Sequence, residues 1–155
     1  MEHLNALLNA YANVGDVPGS ERVYRLIEKA FSKTDAYSQG SLVKAYVRAG
    51  RIEDALDLAK RSPHVNEIMI STLIGGLVAT KQGHMASRVY DVLHKNKFVP
   101  NSTLLDKLLL CCEQSKNGTW AMQLINEAAK NGVPLDGAHY AGAIGAVSQM
   151  PGTIR

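Results

Sequence analysis

The chain repeats itself at an offset of 35 residues, and a period of that length limits the folds open to it more than any other feature. Leu7-Leu8-Asn9-Ala10-Tyr11 is echoed 35 residues later by Leu42-Val43-Lys44-Ala45-Tyr46. Arg22-Val23-Tyr24 returns 66 residues later, about two periods, as Arg88-Val89-Tyr90. In this frame the 155 residues divide as 1–35, 36–66, 67–101, 102–136 and a partial unit 137–155, with the second unit short at 31 residues. The seventh and eighth places are apolar throughout: Leu7-Leu8, Leu42-Val43, Leu73-Ile74, Leu108-Leu109 and Ala143-Ile144. The twentieth place is always small (Ser20, Ala55, Ala86, Ala121), and the twenty-third is apolar (Val23, Leu58, Val89, Leu124). Every complete unit closes on Asp or Asn, at Asp35, Asn66, Asn101 and Asp136.

Each unit reads as two helices. Leu4, Leu7, Leu8 and Tyr11 follow the spacing of one helical stripe, Gly15-Asp16 interrupts it, and Val23, Leu26 and Ile27 form a second stripe. Pro18 sits near the start of the second helix, where its missing N–H costs little. The later turns fall at Gly50-Arg51, Gly83 and Gly118, where glycine is expected because it accepts positive φ. Pro100-Asn101 and Pro134 mark exits from second helices. No strand-like alternation of any length occurs. A hairpin of this kind cannot bury its faces alone, so the units must stack. The expectation is all-α: a right-handed α-solenoid of about four and a half helix-turn-helix units forming a single array over 1–155, with one concave groove. The partial unit offers the stripe Tyr140, Ala143, Ile144, Val147 and then Pro151-Gly152, with no second helix to cover it.

Composition suits a stack of narrow interfaces. Apolar residues make up 46% of the chain but aromatics only 6%, so aliphatic and small side chains must fill the core. A net charge of +3 permits a polyanionic partner without requiring one. The two cysteines, Cys111 and Cys112, are adjacent and read as reduced core thiols rather than a disulfide or metal site. His3, His64, His84, His94 and His139 share no metal-ligand spacing and read as surface residues. With no catalytic cluster and no phosphate loop, neither an enzyme nor a bound cofactor or metal is expected. No apolar run is long enough for a membrane span. Met1-Glu2-His3-Leu4-Asn5 shows no signal or transit character, so either the protein is cytosolic or a presequence lies outside this sequence.

Four stretches carry a family resemblance. Leu4-Asn5-Ala6-Leu7-Leu8 and Ser71-Thr72-Leu73-Ile74-Gly75-Gly76-Leu77 resemble the first helix of a pentatricopeptide repeat. Ala49-Gly50-Arg51-Ile52-Glu53-Asp54-Ala55-Leu56-Asp57-Leu58 resembles its turn and second helix, and Phe98-Val99-Pro100-Asn101 its close. The tetratricopeptide and ankyrin signatures are missing. The resemblance implies that first helices face single-stranded RNA, one base per repeat, with the fifth and last residues reading the base edge. It implies a uridine reader at Asn5 with Asp35, and an adenosine reader at Ser71 with Asn101. Gly40 with Asn66 lacks half a reader, and Asp106 with Asp136 sets two carboxylates against each other. At the second place of each repeat, Tyr37 and Ile68 fit a role against the base face, whereas Glu2 does not. Lys44 and Arg48, four apart, could meet phosphates. Asp or Asn at these junctions is equally the residue expected to cap the next helix, and the two roles are compatible.

Two functions follow from the resemblance. One is an RNA-binding module for an organellar transcript or rRNA, in RNA processing or translation. The other is a protein-binding scaffold subunit of a large organellar complex such as a ribosome. Mitochondrial or plastid placement is implied by the resemblance alone. Stacking contributes on the order of 1–3 kcal/mol per base, so four or five sites with two defective ones are expected to act within a larger array or assembly.

Overall fold

The computed structural model describes residues 1–149; Pro151-Gly152 lies outside the described residues. Among the described residues there are nine α-helices, one 3-10 turn and no strand. The helices are α1 (Glu2–Asn13), α2 (Val17–Phe31), α3 (Ala36–Arg48), α4 (Ile52–Arg61) and α5 (Glu67–Ala79). After the 3-10 turn Gly83–Met85 come α6 (Ala86–Lys95), α7 (Ser102–Ser115), α8 (Gly118–Lys130) and α9 (Gly137–Ser148). The fold is all-α and of the helical-repeat, α-solenoid class.

The chain forms two compact halves, Met1–Gly76 and Leu77–Arg155. In the first half, α1 pairs with α2 and α3 with α4, while α1 runs along α3. Leu8, Val23 and Ile27 make a core onto which Leu4, Tyr11 and Tyr24 pack. In the second half, α7 pairs with α8, and α9 packs on both. Within each half, then, first helices of successive hairpins lie side by side. Each buried Leu or Ile in these seams contributes about 1.5–3 kcal/mol.

The apolar columns account for most of this packing. The eighth-place residues Leu8, Val43, Ile74 and Leu109 are buried, and so are the twentieth-place Ser20, Ala55, Ala86 and Ala121. Small side chains at the latter place let the second helix approach closely. Four residues depart from the expectation. Leu7, Leu26 and Tyr140 are nearly half exposed, and Ile144 is mostly exposed, because α1, α2 and α9 each bury a narrower stripe than their sequences offer. The short second spacing is absorbed by α4, which has 10 residues against 15 in α2.

The turns need a correction. Gly15 and Gly50 do adopt left-handed backbone, at φ +71° and +77°. In the two later hairpins the left-handed residues are Lys81 and Lys116, both at φ 57°, and each lies two places before the glycine. Gly118 begins α8. Gly83 is needed for close approach instead: a Cβ there would lie 2.6 Å from the Cys111 carbonyl oxygen. Cys111 and Cys112 are free and buried, and burial pushes their thiols up to about 11 and about 12, with Cys111 adding to the rise at Cys112.

Two substitutions test these turns. Gly83→Ala forces methyl against backbone and is expected to lower stability by about 1–3 kcal/mol. Lys116→Gly removes a Cβ from left-handed backbone and is expected to raise stability by about 0.5–1 kcal/mol. Urea unfolding of each variant beside the parent chain checks both signs.

Candidate nucleic-acid interface

The four junction residues start the next first helix. Asp35 caps α3 by accepting the Ser38 N–H at 2.8 Å, and the Ser38 hydroxyl accepts the Asp35 N–H at 3.0 Å, closing a capping box. Asn66 Oδ1 accepts from the Met69 N–H at 2.9 Å, and Asn101 Oδ1 from the Leu104 N–H at 2.9 Å. Asp136 Oδ1 accepts from the Ala138 and His139 N–H groups at 3.0 and 3.2 Å. Each bond satisfies N–H groups that the first turn of a helix leaves without a partner.

Asn5 and Asp35 meet. The Asn5 Nδ2 amide donates to Asp35 Oδ2 at 3.5 Å, across 30 residues of chain. Asn5 Oδ1 is buried and accepts no hydrogen bond among the described residues. Burial acts to raise the Asp35 carboxyl, but bonds from the Ser38 N–H, the Ser38 hydroxyl and the Asn5 amide outweigh it and hold it below its usual 3.8.

The Asp106–Asp136 pair is arranged differently from the expectation of two opposed carboxylates. His139, read as a surface residue, is only 2% exposed, and its ring lies between them. Its Nε2 is 3.1 Å from Asp106 Oδ1 and its Nδ1 2.9 Å from Asp136 Oδ1. Its position three residues into α9 makes it the partner of Asp136 in a second capping box. In that box Nδ1 accepts the Asp136 N–H at 3.0 Å, so the ring donates through Nε2, which faces Asp106 Oδ1 and the Ser102 carbonyl. The ring holds Asp106, and the Asp136 carboxylate is held by the backbone N–H groups it caps. The other four histidines are exposed, as expected.

Tyr37, Gly40, Lys44, Asn66, Ile68 and Thr72 line a cavity of about 350 Å³ in the first half, together with Asn9 on α1. Tyr37 and Ile68 are exposed there, at 52% and 76%. The Lys44 ammonium donates to Asn9 Oδ1. Burial, and then the Arg48 charge, pull Lys44 below its usual value. Arg48 itself is exposed. Ser71 belongs to the first half and Asn101 to the second.

Asn9 and His139 were missed as site residues. Asn9 had a signal: it occupies the ninth place of the first unit, as Lys44 does of the second. Among the described residues no His/Cys/Asp/Glu group is placed to hold a metal ion, and no helix is long and apolar enough to cross a membrane.

The PPR repeat family matches residues 2–30 and 40–61. A pentatricopeptide repeat-containing protein of Arabidopsis thaliana is 31% identical over 110 residues, covering 70% of this chain and 20% of the relative. Another from the same plant is 25% identical over 138 residues, covering 89% of this chain and 18% of the relative. A third, named as mitochondrial, is 22% identical, covering 74% of this chain and 20% of the relative. The chain thus spans about a fifth of the length of these relatives. The crystal structure of the pentatricopeptide repeat protein PPR10 from maize superposes with a TM-score of 0.74 at 18% identity, covering 92% of this chain and 21% of that one.

The Asp35 cap has a pH signature. Its folded-state value lies below the ordinary 3.8, so its contribution is complete above that range and is lost as pH falls through the folded value. Asp35→Ala is expected to cost about 1 kcal/mol at neutral pH. Urea unfolding of parent and variant should show the gap narrowing once the pH drops below 3.8.

Proposed function

This chain carries pentatricopeptide repeats and belongs to that family, and from that premise we propose that it is a single-stranded RNA-binding module acting in organellar RNA processing or translation. In this reading the repeats run 1–35, 36–66, 67–101 and 102–136, with a partial unit from 137. On the same reading the segment binds rather than catalyses, and it spans about a fifth of the length of the relatives.

The observation that carries the reading is the Asn5–Asp35 bond. It holds an amide against a carboxylate and leaves Asn5 Oδ1 buried without a donor. The Asn5 Nδ2 donor and the Asp35 carboxylate acceptor lie side by side, which suits a base edge that alternates acceptors and donors. Tyr37 and Ile68 supply exposed surface for base faces, and Arg48 a charge for phosphate. Asn66 serves the second repeat, and Ser71, in the same half, the third. Asp106, bonded by the His139 ring, and Asp136, occupied in capping α9, contribute least to base reading.

A second reading, a scaffold for protein partners in an organellar complex, draws on Leu110, Tyr140 and Ile144, which α7 and α9 expose. A native size measurement separates the two, because a stable free monomer counts against a scaffold.

Binding of the chain to short single-stranded RNAs at low salt tests the first reading. Asn5→Ala is expected to weaken binding roughly fivefold, the equivalent of about one hydrogen bond. Absence of affinity for any single-stranded RNA, or indifference to Asn5→Ala combined with Ser71→Ala, would defeat the proposal.

A further inference from the structure

Building on the RNA-binding reading above, we propose that the second repeat reads its base through Lys44, steadied by Asn9, and that this pocket selects guanine. Gly40 stands at the fifth place of that repeat, and a Cβ built there meets nothing within 4 Å. The space a reading side chain would fill is therefore open. One helical turn along α3, Lys44 lines the same cavity, whose volume of about 350 Å³ lies within the range of small-ligand sites. Tyr37 and Ile68 line it too, offering a ring and an aliphatic surface to the faces of a base.

The nitrogen groups of this cavity are donors, beside the Ser41 and Thr72 hydroxyls, which can also accept. The Lys44 ammonium gives one proton to Asn9 Oδ1 and keeps two. Asn66 Oδ1 is taken by the Met69 N–H, so what its amide brings to the cavity is the Nδ2 donor. No Asp or Glu is among the lining residues. Guanine sets two adjacent acceptors, O6 and N7, on one edge, where adenine sets an amine beside N7 and the pyrimidines have no N7; lysine is matched to the guanine pair. Asn9 is a positioning residue here: it touches the ammonium and not the base.

Selection of RNA from a randomised pool by the whole chain tests this. The parent is expected to enrich guanine at one position. Lys44→Met should lose that enrichment by about tenfold while preferences at other positions stay, and Lys44→Arg should keep it. If Lys44→Met weakens all sequences alike and flattens the salt dependence, Lys44 meets phosphate and the proposal is wrong. An unchanged guanine preference in Lys44→Met also overturns it, with RNA binding itself intact. If the parent retains no RNA, the broader reading fails and this one falls with it.

Discussion

A side-chain oxygen at the start of each first helix after α1, accepting the N–H groups that the helix cannot satisfy itself, sets the register for everything that follows in a repeat. Asp35 bonds the Ser38 N–H, Asn66 that of Met69, Asn101 that of Leu104, and Asp136 that of His139. Where the cap sits decides which residue stands fifth along the helix and which stripe turns inward. Because α1 runs along α3, the cap of one first helix lies near the opening turn of the one before it. That is how Asp35 comes within 3.5 Å of Asn5. Capping and the contact with Asn5 are one arrangement: the carboxylate that starts α3 has a second oxygen, and that oxygen faces the amide.

The same scaffold yields different chemistry at each junction. At Asp35 the capping partner is a small hydroxyl, and the carboxylate remains open to Asn5. At Asp136 the capping partner is His139, whose Nδ1 accepts the Asp136 N–H while Nε2 reaches on to Asp106. At Asn66 the opposing place is Gly40, and a cavity with a lysine takes over. Single changes at the third helical residue or the fifth repeat position thus convert a polar pair into a closed cluster or an open pocket.

Much of this could be read from the chain alone, because the repeat supplies several aligned copies of each decision. The apolar eighth place and the small twentieth place are buried in all four helix pairs, so averaging over units reveals them. Features present only once had no such support. His139 looks like any exposed histidine until α9 is laid against α7, which buries its ring. Glycine was assigned the left-handed turns, and in two hairpins a lysine holds that backbone while Gly83 clears a path for the Cys111 carbonyl. The Tyr24–Thr34–Gln39 hydrogen bonds join α2 to α3 through residues from three local contexts, and no spacing rule foretells them. Local periodicity reports which face is inward; it does not report which polar side chains meet across helices.

The central claim is that first helices present the ligand face and that the junction caps belong to it. An NMR titration of the isotope-labelled chain with short single-stranded RNA examines that claim residue by residue. The account predicts that the side-chain amides of Asn5 and Asn9, the Tyr37 ring and the Ile68 methyls shift progressively, with α2 and α4 unmoved. Shifts confined to α2 and α4, with Asn5, Asn9, Tyr37 and Ile68 unaffected, would contradict it.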